Sequence, residues 1–246
     1  MIPINIYENT KIKIYSTSDG IKIVTSPIKI QILNMLTDKV SEADIVKETG
    51  KSKSTISVHL KNLLDERIIS YKAHPLDRRS KLFYIYADYI GEIYPDNIIY
   101  ALPEIEQDIS NQEGLFIEIY RQFKGLLLHH GLDVSPLEII TGERIGKKTY
   151  DEFKAETLDE LLDELKQRFI DLDLGELSIN ITDDSLMFKL KECHECYNLE
   201  YNMATCNIVK GMLKGIFSAF YKKAVSVEEV ECCSKYDDHC TFIVEK

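Results

Sequence analysis

Four of the six cysteines of this 246-residue chain lie between residues 206 and 240. The pattern predicts Cys206 in the first turn of a helix, Glu229 and Cys232 near the end of the next strand, and Cys240 at the start of the last strand. Three thiolates and one carboxylate supply the four ligands that zinc takes in a closed tetrahedral site. Two arguments oppose a metal site here. Residues three apart on a regular strand face opposite sides, and buried free cysteines also serve as small apolar side chains.

The remaining cysteines could carry redox chemistry. Cys193 and Cys196 form a C-x-x-C pair after a predicted strand, and Cys233 adjoins a candidate ligand. Such a pair can cycle between dithiol and disulfide, or bind a metal. Because oxidation of thiols beside a thiolate–zinc site would release or rearrange ligands, these three residues are candidates for a redox switch. The alternative is that they are inert thiols.

Charge divides the chain into two parts. Residues 1–90 carry 14 basic and 10 acidic side chains, whereas residues 91–246 carry 16 and 31. Residues 51–81 alone contain eight basic and three acidic side chains. This asymmetry predicts two domains with different partners, at residues 1–90 and 113–246, joined by a linker at 91–112 that contains Gly91, Pro95 and Pro103.

Three helices are predicted near the amino terminus. Ser26 and Pro27 begin the first, Ser41 caps the second, and Gly50 ends it in the left-handed conformation. The third begins near residues 52–54 and has one apolar face. Two strands with basic residues at the turn between them follow, so the pattern indicates a winged helix-turn-helix.

The other face of the third helix has small side chains that could enter a major groove, although a solvated surface explains the same pattern. Basic residues at the hairpin tip suit phosphates or a minor groove. The candidate DNA-binding residues are Lys51, Ser52, Lys53, Ser54, Thr55, Ser57, Val58, His59, Lys61, Arg78, Arg79 and Lys81.

The stretch KSKSTISVHLKNLLDERIISYKAHPLDRRSKLFYIYA resembles the recognition helix and wing of ArsR-like transcription regulators. That resemblance implies binding to double-stranded operator DNA. Residues 1–90 contain no cysteine, so the cysteine pair of metal-sensing members is missing and sensing is expected in the acidic domain.

The acidic domain is predicted to be α+β, with helices at residues 115–130, 136–153, 158–169 and 204–220 and a mostly antiparallel sheet. Its final part resembles a 4-vinyl-reductase domain. The resemblance rests on Gly211 and Gly215 in a helix, on E-x-x-C at Glu229 to Cys232, and on C-x-F from Cys240. It implies a structural zinc held by Cys206, Glu229, Cys232 and Cys240.

The two domains together resemble methanogen-specific redox-responsive transcription regulators of archaea. This implies a homodimer in which oxidation of sensor cysteines changes operator binding. Two alternatives stay open: a regulator that senses a small-molecule effector, and a ligand-binding adaptor that does not bind DNA. An enzyme is not expected, because no dinucleotide fingerprint, phosphate loop or acid–base constellation is found.

The cytoplasm is the expected location. No apolar run approaches the roughly 20 residues that span a bilayer, so no membrane partner is expected. The first 20 residues lack the apolar segment and cleavage site of a signal peptide.

Overall fold

The computed structural model describes residues 11–75, 80–94, 112–182, 185–196, 199–201 and 203–245. The chain divides into two compact units. The first contains Met1–Ile98 with Gly131–Val134, and the second contains Ile99–His130 with Ser135–Lys246. Among the described residues, no helix combines the length and apolar character needed to cross a membrane.

The amino-terminal unit contains three helices and two antiparallel sheets. Its elements are β1 (Ile12–Thr17), β2 (Gly20–Val24), α1 (Pro27–Met35), β3 (Val40–Ser41), α2 (Glu42–Thr49), α3 (Lys53–Asp65), β4 (Ile69–Ala73), β5 (Lys81–Ile85), β6 (Asp88–Ile93) and β7 (Leu132–Asp133). The strand orders are β3-β5-β4 and β2-β1-β6-β7. Helices α1 to α3 followed by the β4–β5 hairpin form the predicted winged helix-turn-helix.

Local capping fixes both ends of α2, as the sequence predicts, and a cap at Ser52 also begins α3. The Ser41 side chain accepts a hydrogen bond from the Asp44 backbone N–H, and Ser52 does the same for Thr55. Gly50 ends α2 with a φ of 63°, which glycine adopts without steric cost. The apolar faces then close the core, whose fully buried members include Ile32, Ile45, Ile56 and Leu63.

The predicted linker at residues 91–112 begins inside a strand, which corrects its first boundary. Strand β6 continues to Ile93 and pairs with β1 on one side and with β7 on the other. Gly91 indicated a loop in the sequence. In the structure it lies against the backbone carbonyl of Asp133, where no Cβ would fit. The glycine is therefore a point of close strand approach.

The carboxy-terminal unit is α+β, as predicted. Its elements are α4 (Gln112–His129), α5 (Ser135–Glu152), α6 (Leu158–Asp171), β8 (Glu176–Ile181), β9 (Ser185–Lys191), α7 (Asn207–Tyr221), β10 (Ser226–Glu231), a 3-10 turn (Cys233–Lys235) and β11 (Cys240–Glu245). The sheet order β10-β11-β9-β8 is antiparallel throughout. A leucine stripe on α6 and the apolar face of α7 belong to one core with this sheet.

Helices α5 and α7 touch through glycines. Gly142 and Gly146 on α5 oppose Gly211 and Gly215 on α7, and all four are buried. A Cβ at Gly211 would lie 2.9 Å from the backbone nitrogen of Glu143 and 3.0 Å from the Cα of Gly142. Ordinary contacts of a Cβ are 3.4–4 Å, so only glycine allows this approach. The contact fixes the position of α7 and of the residue that precedes it.

Candidate functional site

Three elements bring the predicted metal ligands together. Cys206 is the N-cap of α7, so it lies one residue before the helix rather than in its first turn. Glu229 lies on β10, Cys232 directly follows that strand, and Cys240 begins β11. The four ligand atoms all lie within 4.8 Å of one another and could hold a metal ion.

A β-bulge resolves the geometric objection to this set. Glu229 pairs with Phe242, but Glu231 pairs with the adjacent Thr241, so Val230 is an extra residue in β10. A bulge of this kind bends the strand and re-aims the following side chains. Glu229 and Cys232 can therefore contribute to one cluster although they are three residues apart.

The sulfur positions fit a tetrahedral ion. The Sγ atom of Cys206 lies 3.6 Å from that of Cys240 and 3.7 Å from that of Cys232, and the third sulfur pair is 4.0 Å apart. Zinc–sulfur bonds of about 2.3 Å in a tetrahedron place sulfurs about 3.8 Å apart. The three observed separations lie on both sides of that value, so an ion would need little rearrangement of the protein.

Glu229 has one oxygen available for such an ion. Its Oε2 accepts a hydrogen bond of 3.1 Å from the Cys206 backbone N–H. Its Oε1 is buried and has no hydrogen-bond partner among the described residues. An unsatisfied buried carboxylate oxygen is costly unless a cation or a donor reaches it. The donor set and this oxygen together fit a zinc ion.

Ionisation of the cluster is strongly perturbed. Burial, and then the charge of Cys232, raises the pKa of Glu229 to about 10. Hydrogen bonds from the thiols of Cys196 and Cys206 lower the pKa of Cys232 to about 5. Burial raises the pKa of Cys206 well above its ordinary value. These groups cannot all carry negative charge without a counterion, and a metal cation is the usual counterion for such ligands.

The cysteines predicted to be redox-active belong to the same cluster. The Sγ of Cys193 lies 3.5 Å from that of Cys206, and the Sγ of Cys196 lies 3.2 Å from that of Cys240. Cys193, Cys196, Cys206 and Cys240 form a second set of four donors within 4.8 Å. Cys233 is half-buried and its Sγ lies 3.8 Å from that of Cys240. All six cysteines are free thiols.

Polar residues that the sequence analysis did not single out support the cluster. The backbone N–H of Cys232 donates to Asp237 at 2.8 Å, and its Sγ lies 3.0 Å from the hydroxyl of Ser234. Ser234 is fully buried and donates to the Met203 carbonyl at 2.6 Å. Both polar residues follow Cys232 within five positions. Their closeness in sequence to Cys232, a candidate ligand, is the signal that could have identified them.

Glu195 connects the C-x-x-C segment to two helices. Its carboxylate accepts hydrogen bonds from the backbone N–H groups of Ile208 and Val209 in the first turn of α7, at 2.9 and 3.0 Å. It also forms a 3.0 Å ion pair with Lys124 of α4. Burial alone would lower the pKa of Lys124, but the charges of Glu195, Tyr120 and Glu138 outweigh it and raise that pKa well above its ordinary value. A buried, charged lysine therefore holds the carboxylate in place.

Most of the candidate DNA-binding side chains are exposed. Lys51, Lys53, Ser54, Val58, Lys61 and Lys81 are exposed, Thr55 and His59 are half-buried, and Arg78 and Arg79 lie outside the described residues. Val58, an apolar residue on this helix, is 58% exposed. The face of α3 opposite the core is therefore open to a partner.

Five of the candidates already have partners within the unit. Ser52 caps α3, and its hydroxyl also contacts Ser54 and Thr55 at 2.8 Å. The Ser57 hydroxyl donates to the carboxylate of Glu42 on α2. Lys81 places its ammonium 3.9 Å from the centre of the Tyr71 ring, in a cation–π contact. Ser52 and Ser57 thus have structural partners in addition to any role on DNA.

Two family comparisons cover parts of the chain. Residues 26–71 match "Bacterial regulatory protein, arsR family", and residues 186–246 match the 4-vinyl-reductase domain. MJ0745 of Methanocaldococcus jannaschii, an uncharacterized protein, is 32% identical over 82 residues, which are 33% of this chain and 45% of that protein. MJ0150 of the same archaeon, also uncharacterized, is 23% identical over 132 residues, which are 52% and 75% of the two chains. The chain thus spans less than half the length of the first of these relatives.

Several solved structures are similar to the chain. A vinyl-4-reductase family protein from M. jannaschii is 21% identical, over 54% of this chain and 77% of that one, with a TM-score of 0.38. The phenol-responsive sensory domain of the transcription activator PoxR with phenol is 14% identical, over 57% and 77%, with a TM-score of 0.45. The resemblance to both families that the sequence indicates is confirmed. This chain joins an arsR-family helix-turn-helix segment at residues 26–71 to a 4-vinyl-reductase domain at residues 186–246.

Proposed function

We propose that this chain is a DNA-binding transcription regulator whose cysteine cluster holds zinc and responds to the redox state of its surroundings. The observation that carries the proposal is the convergence of Cys206, Glu229, Cys232 and Cys240 within 4.8 Å, in a chain that also has an arsR-family segment. On this view residues 1–90 contact DNA and residues 113–246 sense. The chain acts by binding and not as an enzyme.

Recognition of duplex DNA is assigned to α3 and the hairpin after it. The small exposed side chains Ser54 and Val58 would let α3 enter a major groove, and Lys61 would reach a phosphate. Lys51, Lys53, Thr55, His59 and Lys81 flank that face, while Arg78 and Arg79 would contact the backbone or the minor groove from the hairpin. Contacts of this kind give binding that weakens steeply with salt.

Redox sensing is assigned to the thiols. Bound zinc would hold thiolates in place and close the cluster. Cys193 and Cys196 can form a disulfide by giving two electrons and two protons to an oxidant such as hydrogen peroxide, which becomes water. Both sulfurs lie against sulfurs of the proposed zinc ligands, at 3.5 and 3.2 Å. Their oxidation would therefore disturb the metal site directly, and Cys233 could take part as a third thiol.

A homodimer is the proposed assembly. Helix α4 exposes Phe116, Ile119, Phe123 and Leu126, with 44–61% of each side chain accessible. Their spacing of three, four and three residues forms one apolar stripe of the kind that pairs helices in a coiled coil. A second copy of α4 would cover this stripe. Two copies would also present two recognition helices to a two-fold operator.

The decisive experiment measures binding of the full chain to its own promoter DNA by mobility shift, with dithiothreitol and after hydrogen peroxide, while zinc is quantified in both samples. We expect tight binding in one state only and a change in zinc content between them. Equal binding and equal zinc in both states would end the redox proposal and favour a small-molecule effector.

A paired variant tests the DNA-binding half. Replacing Arg78 and Arg79 with alanine should weaken binding to promoter DNA and lower its salt dependence. Replacing Lys148 and Lys223, two exposed lysines of the other unit, with alanine is the matched loss of two positive charges and should leave binding unchanged. Unchanged DNA affinity of the double variant would favour the adaptor alternative. In the first experiment, a reduced protein that contains no zinc would contradict the sensor assignment.

A further inference from the structure

The cysteine cluster contains two overlapping sets of four donors. One set is Cys193, Cys196, Cys206 and Cys240, and the other is Cys206, Glu229, Cys232 and Cys240. Cys206 and Cys240 belong to both. The five cysteines are at most 1% exposed, and Glu229 is half-buried, so the sulfurs are closed to bulk water.

We propose that this cluster binds two divalent metal ions of the zinc class, bridged by the sulfurs of Cys206 and Cys240. Cys193 and Cys196 complete the first ion, and Glu229 and Cys232 complete the second. The inference rests on the proposed zinc site and adds a second ion to it. Cys193 and Cys196 then become metal ligands in the reduced protein, and their oxidation removes ligands from one ion.

The number of donors matches two ions and exceeds what one ion needs. Two four-coordinate ions that share two bridging ligands require six donors. The two sets together supply six, five thiol sulfurs and one carboxylate. A single ion held by the set that contains Glu229 would leave the sulfurs of Cys193 and Cys196 without a metal. Both sulfurs would still be buried in contact with sulfurs that bind that ion.

The distances suit shared ligands. The proposed bridging sulfurs of Cys206 and Cys240 are 3.6 Å apart, close to the edge of about 3.8 Å expected for a zinc–thiolate tetrahedron. The Sγ of Cys206 lies 3.5 Å from that of Cys193, and the Sγ of Cys240 lies 3.2 Å from that of Cys196. Cys206 also lies 3.7 Å from Cys232. Each bridging sulfur is thus in contact with a terminal sulfur, and Cys206 has terminal sulfurs of both sets within reach.

Charge allows the second ion. Five thiolates and one carboxylate carry six negative charges, and two divalent ions leave an excess of two. One ion with three thiolates and one carboxylate leaves the same excess. The second ion therefore adds no net charge to the buried site.

Metal stoichiometry of the full chain tests the inference. The reduced protein is stripped with a chelator, titrated with Co²⁺ or Zn²⁺, and examined by native mass spectrometry. We expect two ions per chain. In the cobalt form, the electron paramagnetic resonance signal should fall as the second equivalent binds, because thiolate bridges couple the two spins.

Cysteine variants assign the ions. Cys193→Ser and Cys232→Ser should each reduce the stoichiometry to one, and Cys206→Ser should impair both ions. Cys233→Ser is the matched control, because Cys233 lies in the cluster but in neither set, and it should retain two. Circular dichroism verifies that each variant is folded.

The outcomes separate this inference from the proposed function. One ion per wild-type chain would overturn the second site and leave the zinc-sensor proposal intact, whereas no ion would overturn both. Two ions with additive, uncoupled signals would overturn the bridges. If the variants do not fold, the stoichiometry and spin coupling of the wild-type chain still distinguish one ion, two separate ions and two bridged ions.

Discussion

Replacing Gly211 with alanine tests whether the glycine contact between α5 and α7 positions the proposed metal site. At an open helical position this change would stabilise the protein by about 1 kcal/mol, because alanine has the higher helix propensity. Here the new methyl group would lie 2.9 Å from the Glu143 nitrogen and 3.0 Å from the Gly142 Cα. Backbone atoms cannot rotate away as a side chain can, so the two helices must separate.

Overpacking of a closed core costs about 1–3 kcal/mol, and occasionally more. Because the obstacle at Gly211 is backbone, we expect a cost at or above the upper end. After the gain in helix propensity, the free energy of unfolding should fall by about 2 kcal/mol. For a unit of this size that corresponds to a Tm lower by about 4–8 °C. The N-cap of α7 is Cys206, so zinc affinity should fall as well.

Thermal and urea unfolding followed by circular dichroism measure the effect, and a competition assay with a chromogenic chelator measures zinc affinity. Arg144→Ala, at an exposed position of α5, is the matched control and should change stability by less than about 0.5 kcal/mol. A Gly211→Ala protein as stable as the wild type, or more stable, would refute the close contact, since helix propensity would then be the only effect at that position.

Three further predictions concern other surfaces of the chain. Lys61→Ala should weaken DNA binding and reduce the slope of log K against log salt by about 1 in a fluorescence anisotropy titration, provided that Lys61 neutralises one phosphate; an unchanged slope would remove Lys61 from the interface. Phe123→Glu should weaken self-association at least tenfold in light scattering, because each copy buries one phenyl group worth about 1.5–3 kcal/mol; an unchanged dimer would place the interface elsewhere. Burial raises the pKa of Glu92, but the hydrogen bond from Tyr89 and the charges of Lys11 and Lys13 outweigh it, so the pKa is below its ordinary value. The stabilisation from Glu92 is therefore complete above the ordinary carboxyl pKa and is lost as pH falls through the lowered one, and Glu92→Gln should flatten this acid-side loss in urea unfolding.

Features that depend on neighbouring residues could be predicted from the sequence. The cap at Ser41 and the end of α2 at Gly50 use a hydrogen bond or a backbone angle within three residues, and both occur as expected. The order of the elements and the α+β class could be predicted as well, because each element has its own local pattern of apolar residues. The proximity of Cys206 to Cys240 could also be predicted, because the start of a helix and the start of a strand can lie together at one edge of a small sheet.

Features that depend on three-dimensional packing could not be predicted. The bulge at Val230 inserts one residue without a turn signal, and it decides whether Glu229 can join the cluster. The ion pair of Glu195 with Lys124 joins residues 71 positions apart, and only burial reveals its strength. The placement of Cys193 and Cys196 among the candidate metal ligands, instead of beside them, likewise depends on how β9 meets β11.

The position of Glu195 between Cys193 and Cys196 has a mechanical consequence. One peptide segment holds two sulfurs in the cluster and, through the intervening carboxylate, holds both the first turn of α7 and the ammonium of α4. A shift of that segment by a single ångström would lengthen those hydrogen bonds and leave Glu138, 3.3 Å away, as the remaining carboxylate partner of the buried Lys124 ammonium. If the proposed redox response is correct, oxidation of these sulfurs would strain both helices directly, without a separate element to transmit the change.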